Sequence, residues 1–223
     1  MDQTVIKYRH CGRDVYCFSC SNAHFNKQTD DLNRRECPIC RHTLTFGLLD
    51  APVAITCPFI NAHKVSCAFI IGSVHGPSHL GEWLDTEIHV GLTNSQGLVY
   101  NYTLSGVQRD DHGWEQCVCV QLVPPWRHDL RDSWDRELNE FSLLPEWVSE
   151  RFHEEREFGS CCYGFALTFI NRMRSLDGKV ALSRDEFTGC HVLPRIKTVS
   201  TYINIYHTIL QHGFYIADKL DNM

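Results

Sequence analysis

Two cysteine pairs, Cys17-x-x-Cys20 and Cys37-x-x-Cys40, fall within the first forty residues, and His10-Cys11 stands just ahead of them. No other feature restricts the fold as much. This segment has few long apolar side chains and a polar stretch from Asn26 to Glu36, so it cannot bury enough surface to hold itself together and needs a staple or a neighbour. A two-residue gap lets both thiolates of a knuckle face one ion at about 2.3 Å, and two knuckles complete a tetrahedron. Pro38 restricts the second knuckle. The expectation is a zinc-ribbon-like module over residues 1–48, stapled by structural zinc. The ligands come from Cys17, Cys20, Cys37 and Cys40, with Cys11 and His10 as further candidates, and spacing alone does not decide which four. Zinc would stabilise such a segment by on the order of 10–16 kcal/mol. The plain alternative is reduced thiols packed as small hydrophobes. A two-metal RING arrangement needs eight ligands in alternating pairs, and these are not visible.

The chain carries twelve cysteines in 223 residues. Its opening residues show no apolar signal-like run, and no window reaches the ~18 apolar residues of a membrane span. Reduced thiols in cytoplasm or nucleus are therefore expected rather than a disulfide scaffold. The net charge is −6, and the first fifty residues hold seven basic against six acidic side chains. That balance is no electrostatic footprint for nucleic acid. The acidity concentrates in residues 109–157, with thirteen acidic and six basic side chains. Solvated helix faces account for it, with docking of a basic protein partner as the second reading. Oligomeric state is left open.

Residues 49–80 are rich in proline and glycine turn signals and read as connecting loops and short strands. Residues 87–93 (EIHVGLT) alternate as a half-buried strand does, and Asn94-Ser95-Gln96-Gly97 is turn chemistry. Residues 98–104 (LVYNYTL) return as a second strand. Residues 116–123 form a third strand candidate, with Val118, Val120 and Leu122 on one face and Cys117 and Cys119 on the other. Residues 129–157 read as helix. Ser160 is placed to cap a nearly all-apolar, buried helix from Cys161 to about Arg174. Residues 195–211 form a final amphipathic helix that Gly213 should end. The fold class expected is α+β, an antiparallel sheet packed on a central buried helix, with residues 81–220 as the main domain.

Thiol catalysis needs a thiolate, a base to take its proton and a group to orient that base. Cys162, at a helix N-terminus, is the candidate nucleophile, because the helix dipole favours the anion there. His89, on a strand, is the candidate base. Asn101 on the next strand, or His112 in the Asp110-Asp111-His112-Gly113 turn, could orient it. The segments His89-Val90-Gly91-Leu92 and Gly97-Leu98-Val99-Tyr100, followed later by Cys162-Tyr163-Gly164-Phe165, resemble the permuted papain-like thiol hydrolases. These include the NlpC/P60, lecithin retinol acyltransferase-like and PPPDE families, in which the histidine precedes the helix-initial cysteine. The asparagine those families place before the cysteine is Cys161 here. The resemblance implies hydrolase or acyltransferase chemistry on an amide, ester or thioester. A catalytically inactive protein-interaction module on the same scaffold is the alternative.

A broader resemblance covers most of the chain. Asp50-Ala51-Pro52-Val53, His89 to Asn94, Val99 to Tyr102, Gly106 to Asp110, Ala166 to Asn171 and His212 to Tyr215 resemble the makorin opposite-strand protein family. That family name implies no activity. The resemblance implies a short cysteine-containing amino-terminal part and a carboxy-terminal domain without assigned function. It matches at His10-Cys11 and at Cys37 to Cys40 but not at Cys17-x-x-Cys20, which raises His10 and Cys11 as ligands.

Overall fold

The computed structural model describes residues 3–19, 36–47, 50–73, 87–153 and 161–217. They fall into two compact units. One comprises Met1–Cys57 with Thr201–Met223, the other Pro58–Ser200. The architecture is mixed α+β with two antiparallel sheets.

The first unit is built on a hairpin. Strands β1 (Val5–His10) and β2 (Arg13–Phe18) pair antiparallel from Val5↔Phe18 to His10↔Arg13. Only Cys11 and Gly12 connect them, both at positive φ (52° and 72°). That is the tight two-residue turn whose twist matches paired strands. Val5, Tyr8 and Val15 are buried. Strand β3 (Val53–Ala54) adds beside β1, and the short strand near the carboxy terminus, Tyr215–Ile216, adds beside β2, giving a four-stranded sheet. Edge-to-face contacts of Tyr16 with Tyr215 and of Phe18 with Tyr206 fasten the chain's two ends to it.

The second unit holds five antiparallel strands: β4 (Ala68–Ser73), β5 (Ile88–Thr93), β6 (Val99–Thr103), β7 (Gly106–Asp110) and β8 (Val118–Gln121). The spatial order is β7-β6-β5-β4-β8. The hairpin and third strand read from sequence are β5, β6 and β8. Strand β4 lies between β5 and β8, within the residues read as connecting loops and short strands. Its five residues Ala68 to Gly72 are all buried. A strand covered on both faces carries a continuous apolar run rather than the alternation that marks a half-buried one.

Pairing register assigns the two faces of this sheet. Phe69 faces Leu92 on one side and Val120 on the other, Ile71 faces Val90 and Val118, and Leu92 faces Tyr100. These side chains share a face with Tyr102. Against it lie helices α1 (His128–Phe141) and α2 (Cys162–Leu176). Tyr102 and Phe141 meet Phe165, Trp134 meets Phe169, and Phe69 meets Tyr163. The opposite face, carrying Ala68, Ile70, Val99 and Cys117, is closed by Ala62 and Trp114.

The long helix expected over residues 129–157 is shorter. Helix α1 stops at Phe141, and single 3-10 turns follow at Pro145–Trp147 and Ser149–Arg151. Proline lacks the N–H that would continue the ladder. Helix α2 buries one side only (Phe165, Ala166, Phe169, Ile170, Met173). Its N-cap is Cys161, with no side-chain cap bond, and Ser160 lies outside the described residues. Helix α3 (Arg184–Phe187) opens on a Ser183–Glu186 capping box and passes through a π-turn, Thr188–Val192, into α4 (Leu193–His212). Gly213, at φ 82°, ends it as expected. No helix among the described residues is long and apolar enough to cross a membrane.

Candidate functional site

The β1–β2 turn brings the amino-terminal ligands together. His10 closes β1 and Cys11 occupies the first turn position. A non-glycine residue there is uncommon and costs on the order of 1 kcal/mol. What the strained position gains is a thiol set 3.1 Å from His10 Nδ1. The second contribution is a knuckle. Cys37 N–H donates to the His42 carbonyl at 2.8 Å and Arg41 N–H to the Cys37 carbonyl at 2.9 Å, closed by Arg41 at φ 62°. Within it Ile39 N–H points at Cys37 Sγ (3.4 Å), and Cys40 Sγ lies 3.7 Å from His10 Nδ1.

The ligand atoms of His10, Cys11, Cys37 and Cys40 all lie within 4.8 Å of one another. A tetrahedral zinc with bonds of about 2.3 Å to sulfur and about 2.05 Å to nitrogen has edges of about 3.8 Å (S···S) and about 3.6 Å (N···S). The cluster therefore fits a Cys3His site with shifts of a few tenths of an ångström to about one. Burial pushes the Cys37 thiol up, but the N–H groups of Cys40 and Ile39 and the neighbouring thiols outweigh it and bring it down to about 7. Bonding to Cys40, then burial, pushes the Cys11 thiol up to about 11. Three crowded thiols cannot all ionise cheaply without a cation.

Of the knuckle expected first, Cys17 stands on β2 opposite Ile6. It lies four residues along the strand from the turn, about 13 Å at the strand rise, and is not in the cluster. Cys20 lies outside the described residues. The turn signal that joins His10-Cys11 to the second knuckle is Cys11-Gly12 between two alternating runs, which spacing between cysteine pairs does not reveal.

The second candidate site divides. Asn101, 3% exposed, gives its Nδ2 to Asp110 at 2.7 Å, so its Oδ1 is the atom that faces His89 Nε2 at 3.0 Å. Trp114 Nε1 donates to the same carboxylate oxygen of Asp110 at 3.1 Å. The result is a polar chain, Asp110–Asn101–His89, on the wall of a cavity of about 470 Å³ that His112 also lines. Asn101 thus sits where an orienting group was expected. His112 instead pairs with Asp111 at 2.6 Å, and that bond raises its pKa.

Cys162 meets backbone. Burial pushes its thiol up, and the N–H of Val90 offsets this only in part. Adjacent strand residues project to opposite faces. Val90 shares the α2 face with Leu92 and Phe69, whereas His89 pairs with Gly72 and lies against Trp114 on the other face. The structure brings Asn101 to His89 and sets Cys162 on the helix side of the sheet.

Two family models match the chain. One, described as DUF4796 N-terminal, covers residues 3–44, and the other, described as DUF4796 C-terminal, covers residues 52–209. The human protein named MKRN2 opposite strand protein is 36% identical over 218 residues, which are 97% of this chain and 90% of that protein. No solved structure matches the chain. The amino-terminal match takes in His10, Cys11, Cys37 and Cys40, and the carboxy-terminal match takes in the five-stranded sheet with α1 and α2: the chain belongs to the DUF4796 family of makorin opposite-strand proteins.

Proposed function

We propose that the protein is a metal-stapled, non-catalytic protein-interaction module. Zinc would be held by His10 Nδ1 and the thiolates of Cys11, Cys37 and Cys40. The observation that carries the reading is the convergence of four ligand atoms from two separate turns to within 4.8 Å. Two of the turn positions, Cys11 and Arg41, hold positive φ, which the hairpin turn and the knuckle turn impose. A site closed by four protein ligands leaves no open position for substrate, so the ion's part is structural. It clamps a zinc-ribbon-like segment, residues 1–48, whose own core is small. Such thiolates persist in a reducing compartment, and cytoplasm or nucleus is the location this reading proposes. Metal analysis of the purified chain tests the proposal: about one zinc per chain supports it, and less than half an equivalent removes it.

A second reading is a Cys-His thiol hydrolase or acyltransferase on a permuted papain-like scaffold. What favours it is the Asn101–His89 bond at 3.0 Å. Against it stand the upward shift of the Cys162 thiol and the opposite faces of the two groups. A thiol-reactive acyl probe compared between wild type and Cys162→Ala separates the readings. Labelling at neutral pH that disappears in the variant would restore the enzyme.

A further inference from the structure

The sulfurs of the proposed zinc site differ in what can reach them. Cys37 is 0% exposed, and its Sγ accepts the N–H groups of Ile39, at 3.4 Å, and of Cys40. Cys40 is half-buried, and Cys11, at the tip of the β1–β2 turn, is exposed. Zinc holds a coordinated thiol deprotonated outright, so a zinc-bound Cys11 is a thiolate open to water. That is the form and the exposure at which cysteine oxidation begins. A second sulfur stands beside it. The Cys11 and Cys40 thiols hydrogen-bond one another, and both flank His10 Nδ1, at 3.1 and 3.7 Å. They come from two separate turns, so a bond between them would also join hairpin to knuckle.

We propose that Cys11 and Cys40 form a reversible, peroxide-sensitive modification site, at which oxidation to a disulfide expels the zinc. The Cys11 thiolate attacks one oxygen of hydrogen peroxide; the O–O bond breaks, leaving a sulfenic acid and a hydroxide. The Cys40 thiolate then attacks the Cys11 sulfur, the S–O bond breaks, and a second hydroxide leaves. Each sulfur has lost one electron, and peroxide has taken both. An S–S bond of about 2.05 Å is far shorter than the S···S edge of a zinc tetrahedron, and it leaves only His10 and Cys37, half of the ligand set. Zn²⁺ departs to solvent while the disulfide keeps the two turns joined. A dithiol reduces the bond by exchange and restores both thiolates to the ion. The inference rests on the zinc reading and adds regulation to that same site.

The test treats the full chain, with its zinc content measured first, with a hundredfold excess of hydrogen peroxide at neutral pH. Pyridylazoresorcinol absorbance reads released zinc, and tandem mass spectrometry of a non-reduced digest reads the linkage. Release of about one zinc per chain is expected, together with a Cys11–Cys40 disulfide, and dithiothreitol with added zinc should reverse both. Cys11→His puts a nitrogen ligand in place of the exposed sulfur, so it should hold zinc and release it about tenfold or more slowly. Cys17→Ser, away from the cluster, should release zinc as wild type does. Zinc retained under peroxide, release with Cys37–Cys40 as the main disulfide, or an unchanged rate in zinc-loaded Cys11→His would overturn the inference. Less than half an equivalent of zinc before peroxide removes the zinc site and this inference with it, whereas zinc bound and kept removes the inference alone.

Discussion

Asn101 is the residue on which the second unit's polar interior turns, and Asn101→Ala measures what it does. Its amide spans two neighbours, donating to Asp110 at 2.7 Å and accepting from His89 at 3.0 Å, while 3% exposed. Truncation removes a hydrogen bond to a carboxylate, worth about 1.5–3 kcal/mol, and leaves the His89 Nε2–H without that acceptor at about 1–3 kcal/mol. Trp114 Nε1 still holds Asp110 and His89 is only half-buried, so the lower halves of these ranges apply and the net loss is about 3 kcal/mol. Urea unfolding followed by far-UV circular dichroism should show the midpoint moved down with the slope unchanged. Asn101→Asp sharpens the test. Two carboxylates at that separation must share a proton, so the new group's folded-state pKa is raised above its unfolded value. Its contribution is then present below the unfolded pKa of about 4 and lost as pH rises, and the deficit against wild type should widen from pH 4 to pH 7. A loss below about 0.5 kcal/mol for Asn101→Ala, or a pH-independent deficit for Asn101→Asp, would refute the polar-chain account.

Four other outcomes follow. Gly97→Ala should cost more than about 3 kcal/mol in thermal or urea unfolding, since its φ is 83° and a Cβ would lie 1.9 Å from the His63 carbonyl oxygen. Gly213→Ala, at φ 82° with nothing within 4 Å, should cost only about 1 kcal/mol. Bonds from Lys179 and then Arg127 hold the Asp177 carboxyl below the usual range. Its stabilisation is present above the unfolded pKa of about 4 and lost as pH falls through the folded one. Asp177→Asn should therefore melt earlier than wild type at pH 7 and converge with it at the acid end, and a constant gap would contradict this. Because burial raises the Cys162 thiol, iodoacetamide at pH 7.4 should modify Cys162 more slowly than glutathione, as read by peptide mass spectrometry, and faster modification would reverse the assignment.

Periodicity made the outer parts of the second unit legible. Strand β5, the Asn94–Gly97 turn, β6 and β8 with its two faces are all visible as alternation and turn chemistry, α2 as an apolar run to about Arg174, and α4 as an amphipathic pattern ended by Gly213. Strand β4 was not placed within the loops and short strands expected over residues 49–80, because burial on both faces erases alternation. Nor was the end of α1 at Phe141, where charged side chains keep a helix-like composition past the break at Pro145. The hairpin of β1 and β2 mixes Lys7, Arg9, Arg13 and Asp14 among its apolar positions, so its pattern is weak until the Cys11–Gly12 turn is seen. In the histidine–cysteine cluster, Cys37 and Cys40 were legible from spacing, and His10 and Cys11 as further candidates that a family resemblance raised. Choosing among six candidates needed the turn that brings residues 10–11 beside residues 37–40. The face on which His89 projects depended on register, and a strand places neighbours on opposite sides with nothing local to say which side meets α2.

The His10–Cys11–Cys37–Cys40 cluster is the most direct point of attack. Inductively coupled plasma mass spectrometry of wild type, Cys11→Ser and Cys17→Ser, each purified without added chelator, reads the ligand set. About one zinc per chain in wild type and Cys17→Ser, with loss in Cys11→Ser, is the result expected from His10, Cys11, Cys37 and Cys40 as ligands. Zinc below half an equivalent in wild type, or zinc lost from Cys17→Ser and kept in Cys11→Ser, would contradict it.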